Sequence, residues 1–176
     1  MKAVAIVIIC LVLIIAGIYA VKASNKPSDE STYLRIHIRA NSNDSIDQSV
    51  KYKVKENIVE FMTPALEGVK SKAEAMEILQ NNIVAMKKVA DSTLEQNGYG
   101  YKSRVSLRKE EFPARTYGDL TLDSGVYDAL IIELGSGEGD NWWCVVFPPL
   151  CFVSQDTDNI EYKSFFAELY NKIVGK

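Results

Sequence analysis

The chain has a single histidine, His37, and that scarcity removes several kinds of chemistry at once. A zinc site built on paired imidazoles has no second ligand. No G-x-S-x-G turn is present for an acyl-transfer serine, and no glycine loop leads into a helix to hold phosphate. Gly135, Gly137 and Gly139 cluster, but no helix comes after them, so they read as a mobile hairpin turn. Acidic residues number 23, yet none stands out as an acid–base pair. Basic charge is not in excess either: 20 Lys and Arg leave a net charge of −3, with the signs mixed along the chain. That gives no electrostatic reason to expect nucleic acid. No metal, cofactor or small-molecule substrate is implied.

Uninterrupted apolar sequence is confined to one place. Ala3 to Ala20 carries no charge, with Lys2 before it and Lys22 after it. Eighteen helical residues span about 27 Å, close to the hydrocarbon thickness of a bilayer. Residues 1–23 are therefore expected to be a signal peptide cut after Ala23, or an uncleaved membrane anchor. Either one exports the rest of the chain, with the basic end left in the cytoplasm. Cys10 lies in the middle of the run, not at its end, which argues against a lipid-modified cysteine. Without Lys2 and Lys22 the balance is 18 basic against 23 acidic residues, a net of −5.

Ser24 to Thr32 is polar and reads as a linker, placed over residues 24–33. Leu34, Ile36 and Ile38 alternate with Arg35, His37 and Arg39, which predicts a strand with one buried face. Ile46, Val50, Val54, Ile58 and Met62 recur every four residues, with Phe61 widening the stripe. They predict a helix from Ser45 to Leu66, with Ser45 and Gln48 at capping-box spacing and Pro64 near its end. A second helix starts at Ser71, has an apolar face from Met76 to Leu94 and stops at Asn97-Gly98. Three strands come next: one around Tyr101 to Leu107, one over Val126 to Leu134 and one over Trp142 to Phe147. The middle one is apolar on nearly both faces and belongs inside the sheet. Ile160 to Val174 predicts a closing helix. Beyond the signal or membrane-spanning helix, the expected class is α+β: a small antiparallel or mixed sheet covered by helices, in the order β-α-α-β-β-β-α.

Two stretches are more specific than any general motif. One is LRIHIRANSNDSIDQSVKYKVKENI from Leu34; the other runs from Phe112 to Phe152, with FPARTYGDL and NWWCVVFPPLCF at its ends. Both resemble the stage II sporulation protein R family of endospore-forming bacteria, and the likeness covers about residues 34–152. The resemblance implies a domain over residues 34–176, made in the forespore and exported to the space between the two membranes. There it implies a partner: a membrane-embedded aspartic protease, similar to stage II sporulation protein GA, that matures the precursor of sigma-E. The chain would be the trigger and not an enzyme.

The residues offer contact candidates for such a partner. Arg35, His37 and Arg39 share one strand face, and Arg pairs well with carboxylates at interfaces. The bland alternative is a solvated polar face. Arg115 and Tyr117 sit on an expected loop after Pro113, where they bind or simply brace it. Trp142 and Trp143 point to opposite faces, one into the core and one partly exposed; Trp142 is the candidate anchor. Cys144 and Cys151 suggest a disulfide on the exported side. Register is the objection: bridging requires a turn at Phe147-Pro148, which disfavours Pro unless that bond is cis. The balance favours two buried thiols. A rival reading makes Cys144 and His37 the nucleophile and base of an exported hydrolase. A third is a membrane-tethered structural module with no signalling role.

Overall fold

A computed structural model describes residues 29–152. The apolar run over residues 3–20 and the helix expected over 160–174 lie outside the described residues. Among the described residues no helix is long and apolar enough to cross a membrane.

A short helix, α1 (Asp29–Thr32), leads into β1 (Leu34–Arg39). Two long helices come next, α2 (Ser45–Leu66) and α3 (Lys72–Gln96). The remainder is β2 (Ser103–Phe112), the small strands β3 (Arg115–Tyr117) and β4 (Leu120–Leu122), then β5 (Gly125–Leu134) and β6 (Asn141–Phe147). The architecture is α+β with a mixed four-stranded sheet, ordered β2-β5-β1-β6. β1 is parallel to β5 and antiparallel to β6, while β2 and β5 are antiparallel over ten residue pairs. β3 and β4 pair only with each other, as a separate hairpin.

The sheet's two-sided strand is inside, as its composition requires: β5 lies between β2 and β1. Leu34, Ile36 and Ile38 face the helices, where Val50, Val54, Ile58 and Met62 of α2 meet Leu79, Met86, Ala90 and Leu94 of α3. Each such side chain, taken from water, contributes about 1.5–3 kcal/mol. The stripe on α2 is narrower than the four-residue spacing suggests, because Ile46 and Phe61 are exposed. The expected capping box at Ser45 is not formed. Asp44 is the N-cap residue, and Gln48 reaches back to the Ser42 carbonyl oxygen instead. Pro64 is accommodated within the last turn of α2. α3 starts as its sequence predicts, with the Ser71 side chain accepting from the Glu74 N–H. It ends at Asn97, where Gly98 takes φ +83° and the Tyr99 N–H donates to the Leu94 carbonyl.

The glycine-rich turn after β5 is tied down, contrary to the expectation of a mobile one. Asn41, between β1 and α2, accepts from the Ser136 N–H at 3.0 Å, and Asn43 accepts from the Asp140 N–H at 2.6 Å. The Gly139 N–H donates to the Ala40 carbonyl at 2.9 Å. Lys51, buried on α2, donates to the Asp140 carbonyl. The polar cluster after β1 therefore acts as a clamp on a second loop.

Candidate functional site

The sheet face turned away from α2 and α3 carries the candidates of β1. Alternation places Arg35, His37 and Arg39 there, facing Ala129, Ile131 and Glu133 of β5 on one side and Val145, Trp143 and Asn141 of β6 on the other. Their polarity predicts an open face. It is not open: Arg35 is 0% exposed and His37 1%. The cause is the β2–β5 ribbon. Phe112 and Glu110, at its far end, contact Arg35 and His37, so the ribbon curls across the sheet as strongly twisted strands do. A second apolar cluster fills the space beneath, built from Tyr33, Phe112, Leu122, Tyr127, Ala129, Ile131 and Val145. In this arrangement neither Arg35 nor His37 offers surface to a partner.

Arg35 lies in that cluster. Its guanidinium carbon is 4.2 Å from the centre of the Phe112 ring and 4.8 Å from that of Tyr127. Desolvated cation–π contacts of this kind contribute about 2 kcal/mol. Nη2 donates to the Tyr117 hydroxyl at 3.0 Å. Nε and Nη1 have no hydrogen-bond partner among the described residues. The structure thus brings together two candidates, Arg35 and Tyr117, that lie 82 residues apart.

His37 stacks on Trp143 with ring centres 3.6 Å apart. Nδ1 is 2.7 Å from Glu110 Oε1, and Nε2 is 2.7 Å from Asn141 Oδ1. With two oxygen acceptors both ring nitrogens must donate, which calls for the imidazolium. Burial works the other way and holds the imidazole pKa below its ordinary value, although both hydrogen bonds push it up. Burial decides the sign. A half-turn of the Asn141 amide presents its NH2 to Nε2 and satisfies the neutral ring. Burial pushes the Glu110 carboxyl up, but hydrogen bonds from His37 and Arg108 and the charge of Arg39 outweigh it, so its pKa is lowered.

Arg39, with 30% of its side chain exposed, is where the face reaches solvent. It donates to Glu133 Oε1 at 3.2 Å and to Glu110 Oε1. Arg108 donates to Glu110 Oε2 at 2.9 Å, and Arg104 lies 3.5 Å from Glu133. Two carboxylates therefore lie under three guanidinium groups, with Arg104 and Arg108 exposed. Glu110, Glu133 and Asn141 are not among the sequence candidates. Their positions on the right strand face are readable from alternation, but the curl that brings Glu110 to His37 is not.

Arg115 is exposed on β3, and Tyr117, half-buried at the end of that strand, packs against the second cluster. The expected loop is thus a hairpin, turned at Gly118 with φ +60°. Trp142 and Trp143 do point to opposite faces, Trp142 against the helix-side core and Trp143 against the second cluster. Both are half-buried, and Lys55 lies 5.9 Å from the Trp142 ring centre. Cys144 and Cys151 form a disulfide, correcting the preference for two thiols, and the Phe147–Pro148 bond is cis. Cys144 and His37 cannot act as nucleophile and base. Cys144 pairs with Ile36 on the helix side, His37 projects from the other, and the sulfur is already bonded. Among the described residues no group of three His, Cys, Asp or Glu side chains could hold a metal ion.

Comparison with known proteins adds what geometry cannot. The family model of stage II sporulation protein R matches residues 30–157. The chain belongs to that family. Stage II sporulation protein R of Bacillus subtilis (strain 168) is 32% identical over 164 residues, covering 87% of this chain and 72% of that protein. No solved structure matches. The stage II sporulation protein R match includes all of the candidate face: β1, the β3–β4 hairpin, and β6 with its disulfide. The family's name is that of a sporulation protein.

Proposed function

We propose that the chain is an exported signal of sporulation that activates a membrane-embedded aspartic protease, resembling stage II sporulation protein GA, and so triggers maturation of the sigma-E precursor. The observation that carries this reading is membership of the stage II sporulation protein R family over residues 30–157. Two features of the chain support export. The apolar run from Ala3 to Ala20 is long enough for a signal or an anchor across the forespore membrane. The Cys144–Cys151 disulfide suits an oxidising compartment outside the cytoplasm.

Action by docking is in keeping with the contents of the face. Apart from Arg35, its charged groups are held in fixed pairs, and its single histidine is packed away. A bound protein shifts a protease to its active form only through higher affinity for that form. Arg39 and Arg115 are the sequence candidates with solvent-facing charge, and Tyr117 and Trp142 are half-buried beside them or at the opposite face. The test is co-expression of this chain with the protease and the sigma precursor in a host that lacks all three. Mature sigma factor should form only when this chain is present. Maturation without it removes the reading, and a module with a purely structural role then takes its place.

A further inference from the structure

Arg35 holds an unusual position for a permanent charge: 0% exposed, between two aromatic rings, with Nε and Nη1 unmet among the described residues. Buried charged groups are as a rule paired, since desolvation is repaid only by a counter-charge or a full set of hydrogen bonds. The guanidinium has two edges that fit a carboxylate, one formed by Nε and Nη2 and the other by Nη1 and Nη2. Nη2 is common to both. The Tyr117 hydroxyl accepts from Nη2 and so takes up one of the donors those edges share.

Tyr117 sits on the β3–β4 hairpin, which shares no ladder with the main sheet. Its anchors on the second cluster are Leu122, fully buried, with Tyr117 and Leu120 half-buried; its other residues are exposed. Such a short element with few buried contacts belongs to the low-stability end of a fold. On the same sheet face, Arg39, Arg104 and Arg108 turn their guanidinium groups outward above the less exposed Glu110 and Glu133.

We infer that the β3–β4 hairpin is a flap over a carboxylate-binding site at Arg35, and that the occupant is an acidic side chain of the protein on which this domain docks. Lifting Tyr117 off Nη2 opens a two-pronged site floored by Phe112 and Tyr127. This takes from the proposed function only that the partner is a protein.

The test uses the full-length chain in detergent, with its arginines labelled with nitrogen-15, titrated with a tetraglutamate peptide. Tetraglutamine and inorganic phosphate serve as controls. The Arg35 Nε–H resonance should shift with tetraglutamate alone, and hydrogen exchange over residues 115–122 should quicken as the flap lifts. Arg35→Lys should weaken peptide binding at least about tenfold, the loss expected when a hydrogen-bonded charge pair is impaired. Tyr117→Phe, which keeps the ring and frees Nη2, should tighten binding several-fold and keeps the test decisive if the lysine variant does not fold. An unmoved Arg35 resonance, equal binding by Tyr117→Phe and the parent, or an equal response to phosphate overturns the assignment. Binding is read on this chain alone and sigma-factor maturation in reconstituted cells, so failure of one is distinguishable from failure of the other.

Discussion

Glu110 and His37 meet at 2.7 Å although sheet register sets them far apart. Glu110 pairs with Tyr127 and His37 with Ile131, positions four residues distant along β5. A flat sheet could not bring them together. The contact therefore measures how far the β2–β5 ribbon curls, and the curl is what converts an exposed polar face into a second core. It also explains why His37, flanked by two arginines on its strand, ends up stacked on an indole and away from solvent.

Acid should destabilise the domain through His37 before any carboxylate titrates. Its folded pKa is lowered, chiefly by burial, so the unfolded chain takes up the proton first, near the ordinary value of about 6.5. Stability falls as pH drops below that value and levels off once the folded ring is also protonated. Above about pH 6.5 this group contributes no slope. The slope is bounded by a single proton, at about 1.4 kcal/mol per pH unit. Urea unfolding at pH 7.5 and 5.5 should show the difference, and His37→Gln should remove most of it. Glu110 adds its own loss only at lower pH, below the ordinary glutamate range, because its folded pKa is depressed too.

The disulfide closes a short loop, with a sequence separation of 7. Chain-entropy arguments assign such a loop about 2.5 kcal/mol. Cys144→Ala combined with Cys151→Ala should lower unfolding free energy by roughly that amount, measured by denaturant titration. Sigma-E maturation at permissive temperature should continue, since no step is assigned to the sulfur. Loss of maturation by a stably folded double variant would show that the bridge serves signalling as well as stability.

Gly139 is a position where space, not φ, dictates glycine. A methyl group there would collide with the Ser42 carbonyl and crowd Ala40. The loop and the β1–α2 connection are both pinned by hydrogen bonds, so neither can retreat cheaply. Gly139→Ala should cost about 1–3 kcal/mol, the range for overpacking. Gly100→Ala, which meets nothing within 4 Å, should stay within about 0.5 kcal/mol of the parent. Thermal melts of the two variants check the contrast.

Much of the fold is legible because its signals are local. Apolar residues three or four apart mark both helices, Ser71 with Glu74 marks a start, Asn97-Gly98 marks a stop, and the two-sided strand over Val126 to Leu134 is inside the sheet. The misses share a cause in contacts between distant segments. Nothing near Gly135 announces that Asn41 and Asn43 will fasten that loop. Nothing near Arg35 announces Phe112 and Tyr127. Alternation correctly puts Arg35, His37 and Arg39 on one face, but whether that face meets water depends on a curl about 70 residues further along. The disulfide is hard to read for a similar reason: the register argument is sound, and the proline isomer that lifts its objection is set by tertiary context.

Arg115 and Arg39 give the sharpest division between folding and signalling. Arg115 is exposed on the small hairpin, so Arg115→Glu should change stability by no more than about 0.5 kcal/mol. Arg39 is different: it neutralises Glu110 and Glu133, and Arg39→Glu places a third carboxylate beside two. That variant should be less stable than the parent, because three carboxylates then crowd one another. If the charge of Arg115 guides docking, Arg115→Glu should slow sigma-E maturation several-fold while its melting curve stays that of the parent, and raised salt should weaken the parent toward the variant. Arg115→Lys should recover most of the rate, because charge and not the guanidinium fork is what long-range guidance uses. Normal maturation with Arg115→Glu moves the docking surface away from the hairpin.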